Sequence, residues 1–175
     1  MPFPRWLAGM RITADRLDDR NIMVVDQGED QTVTNSQVLV DTNLIIPGEA
    51  GAKYWYQAKI SFSATTTPDF RWAWSVPSGG NVRRFTMARI QGAAAGLNTG
   101  ADIIMRTPAT TTETVAGGGS ADGVSPPDFF HTYDEGIVEM GGTAGNVTLR
   151  FAQFLSNANE TIFRGQSRLI YARVG

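Results

Sequence analysis

The chain contains no cysteine. That excludes disulfides and thiolate metal sites, so stability has to come from packing or from association of copies. A single histidine, His131, leaves zinc without its usual ligand set. Charge is also scarce: Asp, Glu, Lys and Arg make up 18% of residues, and lysine occurs only at Lys53 and Lys59. The formal net charge is −2 with no Lys/Arg block anywhere. Nothing therefore supplies the basic footprint for nucleic acid or the attraction to an anionic membrane, and neither is expected as a partner. No apolar run approaches the roughly 20 residues of a membrane span. The start lacks the charged-then-apolar pattern of a secretory signal, so folding in a cytoplasm is expected.

What is present favours sheets. The 175 residues include 42% hydrophobic and 10% aromatic side chains and 19 glycines. Thr, Gly and aromatic content with few charges suits strands and turns better than helices. The length fits one domain plus a short arm. We divide it into an arm over residues 1–20 and a β domain over 21–175. Pro2 and Pro4 bar a helix at the very start. Thr13 is a good N-cap and Asp15 suits the first helical turn; Ile12 and Leu17 occupy the two positions of a hydrophobic staple. A two-turn helix over Ala14–Arg20 follows, marginal on its own. Trp6, Leu7, Ile12 and Leu17 are the candidate residues for anchoring this arm, on another protein or back on its own domain.

From Asn21 onward the apolar period is two. Tyr54, Tyr56, Ala58, Ile60 and Phe62 share one face of a strand; Phe70, Trp72, Trp74 and Val76 share another; Val147, Leu149, Phe151 and Leu155 a third. Further strands are expected at Ile22–Val25, Gln31–Thr34, Thr42–Ile46, Val82–Ile90, Ala101–Arg106, Ile137–Met140, Glu160–Arg164 and Arg168–Val174. Turn signals such as Pro47-Gly48 and Pro77-Ser78-Gly79-Gly80 separate them. Many short, half-polar strands without intervening helices mean an all-β antiparallel sandwich or barrel. Phe62, Phe70, Trp72, Trp74 and Phe151 form its expected core. Trp55 and Phe154 fall on the polar faces of their strands. With Arg150 and Arg168 they are the candidate subunit-interface residues, since buried interface cores favour aromatics and Arg.

Chemistry-bearing motifs are weak. His131 lies in a strand-like stretch without a nucleophile elbow, so a structural role is expected and no catalytic residue is assigned. Asp18-Asp19 and Asp134-Glu135 read as solvated loop charges; adjacent strand residues point to opposite faces and cannot share one substrate. Asp122 and Asp128 lack the spacing of a calcium loop. Thr107–Pro127 reads as a long polar loop, with Gly117-Gly118-Gly119 as a flexible connection lacking a phosphate-loop ending. No metal and no cofactor are expected.

Trp6-Leu7-Ala8-Gly9-Met10-Arg11-Ile12-Thr13-Ala14-Asp15-Arg16-Leu17 resembles the W-x-A-G-x-x-(L/I)-T-A-x-x-L start of many small structural proteins of tailed bacteriophages that infect actinobacteria. Asp30–Ser36 and Leu39–Leu44 resemble their first strands. Leu149–Gln153, Ser156-Asn157-Ala158 and Ser167–Val174 resemble their ending; Ile90–Pro127 matches none of it. The resemblance implies a jelly-roll sandwich, similar to tumour-necrosis-factor-like domains, that often forms a homotrimer. It implies a capsid decoration, head-fibre or minor tail protein, partnered by the major capsid protein or other virion proteins and held by its N-terminal arm. The competing readings are a tail-tip protein binding a host-surface glycan through Trp55, Tyr133 or Phe154, and, last, a depolymerase.

Overall fold

The computed structural model describes residues 9–11, 13, 21–90, 103–108, 113–119 and 129–175. These hold twelve strands and, among the described residues, no helix. They are β1 (Met23–Asp26), β2 (Gln31–Val33), β3 (Val40–Gly48), β4 (Lys53–Ala64), β5 (Phe70–Ser75), β6 (Asn81–Arg89), β7 (Ile103–Arg106), β8 (Thr114–Ala116), β9 (Phe130–Glu139), β10 (Gly145–Ala152), β11 (Thr161–Phe163) and β12 (Arg168–Arg173). A larger sheet runs in the order β1-β12-β4-β9-β6-β7, with β11 and β2 attached beside β4. A smaller sheet runs β3-β10-β5-β8. Every ladder is antiparallel.

The connectivity has a simple logic. Setting aside β2, β11 and the β6–β7 hairpin leaves eight strands. Their pairs are β1 with β12, β3 with β10, β4 with β9 and β5 with β8. First pairs with eighth, second with seventh, third with sixth and fourth with fifth. One long hairpin, rolled so that successive pairs alternate between sheets, is a jelly roll. The expected β-sandwich is the observed fold. The β6–β7 hairpin is an addition to this plan, laid along the outer edge of β9.

The alternating pattern does the work between the sheets. On β4, Tyr54, Tyr56, Ala58, Ile60 and Phe62 are buried while Lys53 and Lys59 are exposed. Phe70, Trp72, Trp74, Val147, Leu149 and Phe151 face them from the smaller sheet. Burial of each such side chain stabilises by about 1.5–3 kcal/mol relative to exposure. The Pro77–Gly80 turn closes with Gly80 N–H donating to the Pro77 carbonyl at 2.9 Å, and Gly79 there has φ +79°, which suits glycine. Leu155 departs from the expected alternation: β10 ends at Ala152 and Leu155 is exposed.

Two stretches differ from expectation. Inside the supposed long loop, Thr114–Ala116 forms β8 and pairs with Phe70–Trp72, completing the smaller sheet. Gly117, Gly118 and Gly119 are buried rather than a flexible connection. A Cβ on Gly118 would lie 2.0 Å from the Thr65 carbonyl oxygen, and one on Gly119 would lie 2.3 Å from the Phe130 ring. Glycine is there because the backbone passes too close to its neighbours for any side chain. The second stretch is β9, which begins at Phe130 and so includes Asp134 and Glu135 as strand residues, not loop charges. The expected helix Ala14–Arg20, Asp122, Asp128 and residues 101–102 of the β7 region lie outside the described residues.

Candidate functional site

The anchoring candidates Trp6, Leu7, Ile12 and Leu17 lie outside the described residues. The four interface candidates are all described and do not converge. Trp55 sits half-buried on the outer face of the larger sheet, between Ala172 of β12 and Ile137 of β9. Arg168 is on the same face two rows away, where its Nε donates to Asp26 Oδ1 at 2.5 Å. Arg150 is on the opposite outer face, that of the smaller sheet, with Asp41 beside it at 3.7 Å. Phe154 lies just past β10; its N–H donates to the Pro68 carbonyl at 2.8 Å and its ring is half-buried. Both arginines are thus engaged with carboxylates of their own chain.

Reading the registers across the larger sheet gives its outer surface row by row. One row is Ala172, Trp55, Ile137 and Arg83; the next is Val24, Ile170, Gln57, Glu135 and Phe85; the third is Asp26, Arg168, Lys59, Tyr133, Met87 and Met105. The β6–β7 end is apolar. Phe85, Tyr133, Ile103 and Met105 are all exposed there. A shallow cleft of about 220 Å³ borders this patch, lined by Met87, Ala88, Arg89, Ile103, Phe130, His131 and Tyr133. His131 is held below its ordinary pKa by partial burial and by the nearby Lys59 ammonium. Arg89 lies over the Phe130 ring at 4.9 Å and donates to the Gly118 carbonyl at 2.6 Å. Asp69, at φ +48°, accepts from the Gly118 N–H at 2.7 Å. These contacts fix the corner where β5, β6 and β8 meet.

Sequence reasoning missed the most polar part of the core. Asp134, expected in solvent, is fully buried, as is the Arg84 side chain. Asp134 Oδ1 accepts from the Tyr56 hydroxyl at 2.7 Å. Its Oδ2 accepts from Trp72 Nε1 at 2.7 Å, from Arg84 Nε at 3.0 Å and from Arg84 Nη2. Arg84 Nη2 also donates to Thr114 Oγ1 at 3.3 Å. Burial, with the Asp134 carboxylate beside it, raises the Tyr56 hydroxyl pKa well above its usual value. The cluster joins β4, β6 and β9 of the larger sheet to β5 and β8 of the smaller one. Its donors and acceptors are satisfied by one another, so it is a structural tie and leaves no lone carboxylate facing a substrate. The signal for it was Asp134 and Arg84 each sitting on the inward parity of its own strand.

No family model and no curated protein matches the chain. Among solved structures, the chain is similar to one of infectious bursal disease virus, Gx strain, at 12% identity, covering 100% of this chain and 43% of that one, with a TM-score of 0.35. A D431N mutant VP2 protein of the same virus, in derived T=1 particles, gives 12% identity, 99% and 44% coverage and a TM-score of 0.25. The chain spans less than half the length of either. At these scores the likeness carries no argument about function.

Proposed function

We propose that the chain is a bacteriophage virion structural protein, a capsid decoration protein bound to the outside of the head as a homotrimer through its N-terminal arm. The observation that carries this reading is where the phage-like segments fall. Two of them, from opposite ends of the chain, lie side by side in the fold. Leu39–Leu44 enters β3 and Leu149–Gln153 takes in the end of β10, and the two meet where Val40 lies opposite Phe151 and Asp41 opposite Arg150; Asp30–Ser36 holds β2 and Ser167–Val174 holds β12, both strands of the larger sheet. The resemblance therefore includes one antiparallel contact between the two ends of the chain. The function is mechanical: added contact between neighbouring capsomers means more interface to break before the shell opens. The partners are further copies and the major capsid protein, in a particle assembled in the host cytoplasm. No catalytic step belongs to this reading.

The test is a pair of measurements. Light scattering on the purified chain should give three times the 19.0 kDa protomer mass. Quantitative mass spectrometry of particles should find it in hundreds of copies, and deleting residues 1–20 should leave a folded trimer that no longer joins them. Normal incorporation of the truncated form would defeat the anchor. A second reading, a minor tail protein that contacts host glycans, is favoured by one feature: the exposed Tyr133 ring beside Lys59 and His131, which suits stacking on a sugar. A count of a few copies per particle and a glycan-array signal lost in Tyr133→Ala would select it.

A further inference from the structure

The β6–β7 hairpin lies outside the eight-strand plan, so nothing in the jelly-roll pairing dictates how β6 lines up on β9. Its alignment is nevertheless definite, running from Asn81 opposite Glu139 to Met87 opposite Tyr133. On the inner face, one row holds Tyr56, Gly136 and Arg84, and the next holds Ala58, Asp134 and Thr86. Gly136 has no side chain, and a Cβ there would lie 1.9 Å from the Arg83 carbonyl oxygen. Past this glycine, Arg84 from one side and Tyr56 from the other reach diagonally onto Asp134. Ala58 and Thr86 are small enough to leave the carboxylate room.

We infer that the Arg84–Asp134 pair is the register key of the inserted hairpin: it fixes which β6 residues face the core and which face outward. A slip of one residue would turn the Arg84 guanidinium to the outer face, bring Phe85 inward and strand the Asp134 carboxylate without its cation. Apolar residues alone discriminate less well, because Phe85 and Met87 are as apolar as the inward Val82 and Ala88. A buried ion pair is a poor source of net stability but a sharp discriminator between alignments, since every wrong one leaves a charge unpaired. The key also sets what the larger sheet displays. It holds Phe85, Met87 and Met105 on the outer surface beside Tyr133, whatever assembly the chain enters.

The absence of cysteine makes the test clean. Arg83→Cys with Ile137→Cys places the only two thiols directly opposite one another on the outer face in the native register. Oxidation should cross-link this chain almost completely. In the background Arg84→Met with Asp134→Asn, whose amide oxygen can still accept from Tyr56 or Trp72, the protein should still fold by circular dichroism, and the cross-linked fraction should fall below about half of the parent's. Complete cross-linking in that background would overturn the proposal, and so would failure of the double variant to fold, since the pair would then be a source of stability. Arg84→Lys, a milder change, gives an independent reading by amide hydrogen exchange. Exchange over Asn81–Met87 should accelerate at least about tenfold while the β4–β12 ladder is unchanged. Equal acceleration in both ladders would make the pair a general stabiliser and defeat the register role.

Discussion

Two regions of the sandwich core are held by different means. In one, rings pack on rings: Phe62 on Phe70 at 4.4 Å, Phe70 on Phe151 at 6.0 Å and Phe151 on Phe163 at 5.2 Å. At the middle of β4 and β9, Tyr56, Trp72 and Arg84 converge on Asp134, and Arg84 also donates to Thr114. Trp72 belongs to both, stacking on Phe70 at 5.6 Å while its indole N–H donates to the carboxylate. Dispersion between rings is non-directional and accepts other apolar shapes of similar size. A buried charge accepts only its partner. The rings therefore supply stability, and the ion pair supplies uniqueness.

The comparison breaks most sharply at Asp134. Asp134→Leu should cost about 3–5 kcal/mol, because the buried Arg84 guanidinium loses its counter-charge; urea denaturation reads this as a lowered midpoint. Tyr56→Phe comes next, at about 1.5–3 kcal/mol for the loss of a hydrogen bond to a charged group. It also changes the alkaline limb. The folded Tyr56 hydroxyl keeps its proton above pH 10.0, where an unfolded tyrosine loses it, so stability falls as pH rises past that point. Removing the hydroxyl should flatten the fall to what Tyr171, raised for a similar reason of burial, still contributes.

Ile60→Leu, a buried swap of equal volume on the strand that carries Phe62, should cost less than about 1.5 kcal/mol, with a two-state transition retained. A cost matching that of Asp134→Leu would erase the distinction between the two regions. The smallest effect is expected at His131. Its folded pKa lies below 6.5, so the unfolded chain takes up the proton first and stability declines as pH falls from about 6.5. His131→Gln should remove that acid slope in a thermal-melt series at pH 5 to 7 while leaving the neutral melting temperature in place.

Every stretch read from period-two alternation has a strand within it, because a side chain's face on a strand depends only on its own parity. The five expected core aromatics are buried for the same reason. β8 escaped notice because Thr114–Ala116 stands between a run of threonines and a run of glycines, which read as loop. Much of β9 escaped because its inward positions carry Thr132, Asp134 and Gly136, which break the hydrophobic alternation. A charged residue flanked by polar ones looks solvated until the strands on either side are known. The Gly117–Gly119 run read as flexible because close approach of a neighbouring backbone leaves no trace in the local sequence.

The sequence by itself determined that the chain is all-β, where most strands lie, and which rings fill the core, since these follow from local parity and the transfer of apolar surface from water. The tertiary structure alone brings Asp134 and Arg84 together, extends the larger sheet with β6–β7, and pairs strands from the two ends of the chain in both sheets. Those facts depend on which distant strands become neighbours, and that choice is made by the whole rolled hairpin at once.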